Sequence, residues 1–149
     1  LQITVDEWLV EYLSPASEAS KVEQAHAFTE RVKRKCDKMV FTSEHLRRFR
    51  SRSERFRREV NDAYYFPLVL RPLTLLLYNS DKVQLCAAAK LPDNAQIPED
   101  DVPIVQSLML CESKTLITTD ERLVQAIKRE LAQHEVKCVT PKEYIDDAR

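Results

Sequence analysis

The chain of 149 residues contains no glycine. Few absences limit a fold more, because glycine alone enters the left-handed backbone region without steric cost. Every turn is then expected to use Asn, Asp, Ser or Pro. The absence also removes whole classes of site. There is no GxGxxG, no Walker loop and no GxSxG elbow, so phosphate binding on a glycine loop is excluded.

The remaining composition is that of an ordered chain. A hydrophobic fraction of 44% with 32% charged residues describes a soluble globular protein, and residues 1–149 suit a single domain. The longest apolar runs, such as LTLLLY at 73–78, fall far short of a membrane span. The opening LQITVDEWL is acidic where a secretory leader is basic, so a cytoplasmic location is expected. Cys36, Cys86, Cys111 and Cys138 show no CxxC spacing and sit beside apolar residues. They read as small core hydrophobes in a reducing cell, not as a zinc site.

Strands and helices alternate along the chain. Residues 3–5, 38–42, 115–118 and 136–140 read as strands from their β-branched and apolar runs. Helices are expected over 7–13, 17–35, 44–60, from 100 or 101 to 110, over 121–135, and from Pro141 through PKEYIDDA. Ser43 is the expected N-cap of the third helix. Residues 63–79, with prolines at 67 and 72, read as a broken helix or a helix entered through a loop. Residues 81–90 are ambiguous, with the alanines favouring helix. The alternation predicts a three-layer α/β sandwich with a mainly parallel central sheet.

In such sheets the site lies at the carboxyl ends of the strands. Three acids converge there. Asp6 follows the first strand, and the stretch 98–123, PEDDVPIVQSLMLCESKTLITTDERL, supplies Asp101 at a helix start and Asp120 past a later strand. Carboxylates that meet without a basic partner repel, and a divalent cation relieves the repulsion. The competing reading is that Asp101 and Asp120 merely cap helices, the commonest task of Asp at that position.

With these residues in place, the chain resembles the PIN-domain family, the fold of the VapC-type toxin ribonucleases. VDEWLVEYL at 5–13 matches the strand and acid at the start of that family. DVPIVQSLML matches its D-x-x-I helix opening, with Ile104 in register, and LITTD matches its T-x-D strand end. The resemblance implies a metal-dependent ribonuclease. Asp6, Asp101 and Asp120 would hold Mg²⁺ or Mn²⁺, and Thr118 would orient Asp120 or the attacking water. Asp100 and Glu121 stand next to these acids. The resemblance also implies a homodimer, and it allows an antitoxin or other protein partner. One position departs. SEHLRRF at 43–49 fits a family frame that carries Glu, but Arg48 stands there, and Glu44 lies one turn earlier. A degenerate member that binds RNA or protein without cutting is the alternative. Receiver-like and haloacid-like hydrolases are weaker fits, since VDEW lacks the D-x-D of the latter.

Net charge is −1, yet residues 31–58 hold twelve Lys and Arg against three acids, which leaves about −10 for the remainder. Arg47, Arg50, Arg52 and Arg55 are the candidate RNA contacts, against the ordinary alternative of a solvated helix face. Phe49 and Phe56 are expected in the core, and His26, His45 and His134 in surface or packing roles. Trp8 and Tyr12 are expected to pack, within the chain or in a dimer face.

Overall fold

The structure is a computed structural model and describes residues 1–87 and 90–147. Its centre is the strand Gln2–Val5 (β1), flanked by Lys38–Thr42 (β2) on one side and Thr115–Ile117 (β4) on the other. Val83–Cys86 (β3) and Lys137–Val139 (β5) form the two edges. The order is β3-β2-β1-β4-β5 and every pairing is parallel. Helices are Trp8–Glu11 (α1), Ala19–Arg34 (α2), Ser43–Glu59 (α3), Arg71–Leu77 (α4), Val102–Leu110 (α5), Glu121–Glu130 (α6) and Pro141–Asp146 (α7). The α/β sandwich expected from the alternation is thus the one observed. Among the described residues, no helix is long and apolar enough to cross a membrane.

Alternation along each strand sends side chains to two separate cores. Ile3, Val5, Met39, Phe41 and Ile117 join one large cluster with Leu9 and Leu13 and with residues of α2, α3 and α4. Leu116 faces the opposite way and packs with Ile104, Val105 and Leu108 of α5 and with Leu123 and Ile127 of α6. Phe49 and Phe56 are buried as expected. Trp8 is buried in the chain's own core, edge-on to Tyr12 and Phe28, and its indole N–H donates to the Ile117 carbonyl at 2.9 Å.

Four expectations need correction. Residues 83–86 are a strand, not a helix; pairing of Met39–Thr42 with Val83–Cys86 outweighs the helix preference of the alanines, of which residues 88 and 89 lie outside the described residues. The cap of α3 is Thr42 rather than Ser43: its side chain accepts from the His45 N–H at 3.3 Å, and Ser43 is already helical. Only Cys111 is buried, while Cys36 is exposed in the turn between α2 and β2 and Cys86 and Cys138 are half-buried near the sheet edges. Finally, left-handed backbone falls on Asn94, Lys114 and Glu135, so two long charged side chains stand where glycine is usual.

Smaller boundaries also move. Of the two readings of 63–79, the broken helix stands: Phe66–Leu70 is a π-helical turn that leads straight into α4. The Arg71 N–H reaches back to the Phe66 carbonyl, and Pro72 has no N–H to continue the wider ladder. The helix expected to reach 135 ends at Glu130 and is followed by the 3-10 turn Ala132–His134. The expected terminal helix ends at Asp146, and residue 148 lies outside the described residues.

Candidate active site

In this strand order the chain runs outward from β1 to β2 and β3, then returns to the other side of β1 for β4 and β5. The reversal falls between β1 and β4, and ligand crevices form outside the carboxyl ends of strands at such a switch point. Asp6 is the residue after β1, and Thr118 is the residue after β4.

The two are joined directly. The Thr118 hydroxyl donates to Asp6 Oδ2, and the Trp8 N–H donates to Oδ1 at 2.9 Å. Thr118 Oγ1 in turn accepts from the Asp120 N–H at 2.9 Å. One chain of bonds therefore ties β1, the end of β4 and the start of α6. Asp6 is 5% exposed, and burial is the main cause that pushes its carboxyl up to about 6. The hydrogen bonds from Thr118 and Trp8 resist that shift, while the charges of Asp120 and Glu7 add to it.

Asp120 does cap α6, since its Oδ1 accepts from the N–H groups of Arg122 and Leu123 at 3.0 and 3.2 Å. Asp101 is different. It stands at the junction of the 3-10 turn Glu99–Asp101 with α5, yet its side chain makes no cap bond. Capping therefore accounts for Asp120 but not for the placement of Asp101. Its carboxyl is pushed up first by burial, then by Asp120, Asp100 and Glu7, against a smaller pull from Arg48.

Asp6, Asp101 and Asp120 line one cavity of about 250 Å³, together with Glu7, Trp8, Glu11, Tyr12, Ile104 and Thr119. Thr118 stands behind it. The sequence-predicted acids are thus brought together at one pocket. Glu7 and Glu11 were missed; the signal was their position beside Asp6, on the helix that leaves the central strand.

Among the described residues, no group of three or more His, Cys, Asp or Glu forms a ready ligand set for a metal ion. The donor chemistry still suits Mg²⁺ or Mn²⁺, which take hard oxygens, keep several waters and need only one or two carboxylates. Each Asp6 oxygen retains a lone pair beyond its hydrogen bond, Asp120 Oδ2 accepts no bond from the described residues, and Asp101 is unbonded on the same terms.

Arg48 does not bridge these acids. Its guanidinium donates to the Asp100 carbonyl at 2.6 Å and to Glu44 at 3.3 Å. Arg47 shares Glu44. Next to the acidic pocket, and sharing Glu7 with it, runs a groove of about 540 Å³ lined by Arg47, Arg48, Ser51, Arg52, Arg55 and Arg58, with Asp100 at its rim. These residues recur at helical spacing on one face of α3. Arg52 pairs with Glu11 and, at 3.5 Å, with Glu7; Arg55 pairs with Glu59 at 3.7 Å. Arg50 lies elsewhere: it donates to the Leu77 carbonyl at 3.1 Å and stacks over Tyr78 at 4.2 Å, tied to α4. Glu121 lines a third cavity on the far side of the acids.

One buried group lies beneath α3. His45 Nδ1 is 2.8 Å from Ser107 Oγ of α5, and that hydroxyl also accepts from the Thr42 N–H and donates to the Pro103 carbonyl. Among the described residues, His45 Nε2 has no partner with hydrogen-bond geometry. Burial pulls its pKa down to about 3, against a smaller opposing effect of the Val5 backbone.

No family model, curated protein or solved structure matches the chain. The geometry at the switch point therefore carries the functional reading.

Proposed function

We propose that the chain is a PIN-like, divalent-metal-dependent ribonuclease that hydrolyses RNA phosphodiester bonds. The observation that supports this is the gathering of Asp6, Asp101 and Asp120 in one pocket at the switch point, beside an arginine groove that shares a wall with it. A polyanion follows arginines, and a reacting phosphate needs positive charge where carboxylates crowd.

Mg²⁺ or Mn²⁺ held by Asp101 and Asp120, with Asp6 at the back of the pocket, would supply a water of lowered pKa and offset charge on the scissile phosphate. The protein's own groups divide the remaining work. Arg47, Arg48, Arg52, Arg55 and Arg58 hold flanking phosphates, the first four exchanging their carboxylate partners for phosphate oxygens. Asp6 orients the Thr118 hydroxyl, and Thr118 fixes the Asp120 backbone, so the carboxylates present one geometry.

The test is cleavage of a labelled single-stranded RNA with Mn²⁺ and with EDTA. Wild-type protein cuts only with metal. Asp101→Asn and Asp120→Asn each lose activity by about 100-fold or more. Asn still caps a helix, so Asp120→Asn keeps its fold. Cleavage unchanged by both substitutions refutes the site.

A second reading has one observation in its favour, the lack of a ready three-ligand set among the described residues. On that reading the chain binds RNA without cutting it. Wild-type protein that retains RNA but leaves it intact with Mn²⁺ establishes the second reading over the first.

A further inference from the structure

Three cavities follow one another along the carboxyl edge of the sheet. The arginine groove and the acidic pocket share Glu7, and the acidic pocket shares Thr119 with a third cavity of about 410 Å³. That third cavity opens at the ends of β4 and β5, where Thr118, Val139 and Thr140 line it, and along α6 through Glu121, Val124 and Gln125. It lies at the ends of β4 and β5 where the acidic pocket lies at the ends of β1 and β4, one strand further on, and neighbouring strands are roughly 5 Å apart. A nucleoside attached to a phosphate at the acids spans such a step.

The walls differ in kind from those of the arginine groove. Among the described residues, no Lys or Arg lines the third cavity. Val124, Val139 and Cys138 give it a half-buried apolar wall, suited to the face of a flat ring. Glu121 and Gln125 lie one helical turn apart on α6, and neither side chain makes a hydrogen bond or ion pair with the described residues. The Glu121 carboxylate repels phosphate and accepts hydrogen bonds without donating any. Its volume lies within the range of pockets that take small ring ligands.

We infer that this cavity is a nucleobase subsite, taking the base next to the scissile phosphate and favouring bases with an exocyclic amine, cytosine above uracil. The inference rests on the ribonuclease reading, because only a phosphate at the acids puts a base within reach. Glu121 accepts from the amine, as carboxylates do from cytosine N4 in nucleic-acid recognition. Uracil offers a carbonyl at the same edge and leaves Glu121 facing an acceptor. Gln125 can donate or accept and completes the contact with either ring.

The test titrates cytidine monophosphate and uridine monophosphate into ¹⁵N-labelled protein in Mg²⁺; neither nucleotide has a phosphodiester bond to cut, so binding is read without cleavage. The cytidine nucleotide shifts the amides of Thr119, Val124, Gln125 and Val139 and binds at least about tenfold tighter than the uridine nucleotide, the lower end of one hydrogen bond to a charged acceptor. Glu121→Gln abolishes that preference. Val124→Trp, which fills the cavity, abolishes the shifts while its amide spectrum stays dispersed. Equal binding of the two nucleotides to wild type, or shifts confined to other amides, overturns the subsite. RNA cleavage without the cytidine preference removes the subsite alone. The preference without RNA cleavage removes the ribonuclease reading and leaves the subsite beside acids that hold a phosphate without cutting, as in the second reading above.

Discussion

The acidic pocket and the arginine groove adjoin, but they are built on opposite physical principles. Asp6 and Asp120 are held at strand ends by hydrogen bonds: Asp6 takes one donor from the backbone and one from Thr118, and it is 5% exposed. Burial first, and the neighbouring carboxylates after it, make Asp6 and Asp101 both harder to ionise than ordinary carboxyls. The arginines lie on an outer helix face, and most pair with a nearby glutamate. One region stores repulsion in fixed geometry. The other stores attraction in pairs that water and salt can exchange. Position is therefore the property of the acids, and reach is the property of the arginines.

The largest test of this contrast is on the acid side. The folded pKa of Asp6, about 6, lies above its unfolded value near 3.8, so the folded state binds the proton more tightly. That stability is fully present below pH 3.8 and is lost as pH rises through 6, at most about 3 kcal/mol. In EDTA, Asp6→Asn is expected to raise the urea midpoint at pH 7.5 and to lose this advantage at pH 4, while RNA cleavage disappears at any pH. An Asp6→Asn protein less stable than wild type at pH 7.5 would show that hydrogen bonding, not charge, dominates this residue.

Next comes His45, which links the first turn of the arginine helix to α5. Its folded value near 3 lies below the unfolded 6.5, so its contribution is lost as pH falls from 6.5 towards 3. Between pH 7 and pH 5 this amounts to about 2 kcal/mol. Urea titrations should show that loss in wild type and not in His45→Gln. The two buried groups thus pull stability in opposite directions with pH.

The arginine side predicts smaller effects. Arg55→Ala with Arg58→Ala should weaken single-stranded RNA binding about tenfold at low salt and lower the log–log salt slope by roughly 0.7 per arginine. A slope that does not move excludes these residues from phosphate contact. The smallest effect is Glu44→Gln, which releases Arg47 and Arg48 from their shared partner. Fluorescence anisotropy should show RNA binding about twofold tighter, in keeping with the weakness of exposed pairs.

The sheet and the three acids were legible because their signals are local. Asp6 and Asp120 each stand just past a β-branched run, and Asp101 stands just before an apolar helix. What the sequence hid were relations between elements. Glu7 and Glu11 neutralise Arg52 from 45 and 41 positions away, so the arginine block looked freer of partners than it is. Arg50 looked equivalent to its neighbours, but its rotation around α3 turns it towards Tyr78. β3 was misread because edge strands show half of an alternation, here Leu85 outward beside half-buried neighbours, and pairing with β2 decided it. Turn chemistry failed at Lys114 and Glu135, where the fold accepts a left-handed cost of about 1 kcal/mol each.

The bond from Thr118 to Asp6 spans 112 positions, and the Trp8 indole reaches Ile117 across 109. The first strand lies at the middle of the sheet, so it is made early and completed late. During synthesis β1 can pair with β2, but its other edge stays open until β4 has emerged, and such distant closure is the slow part of folding. The acid pocket is therefore among the last features to form. A nascent chain stopped before β4 carries the arginine helix without the assembled carboxylates; on the function proposed above, it would hold RNA before it had any means of cutting it.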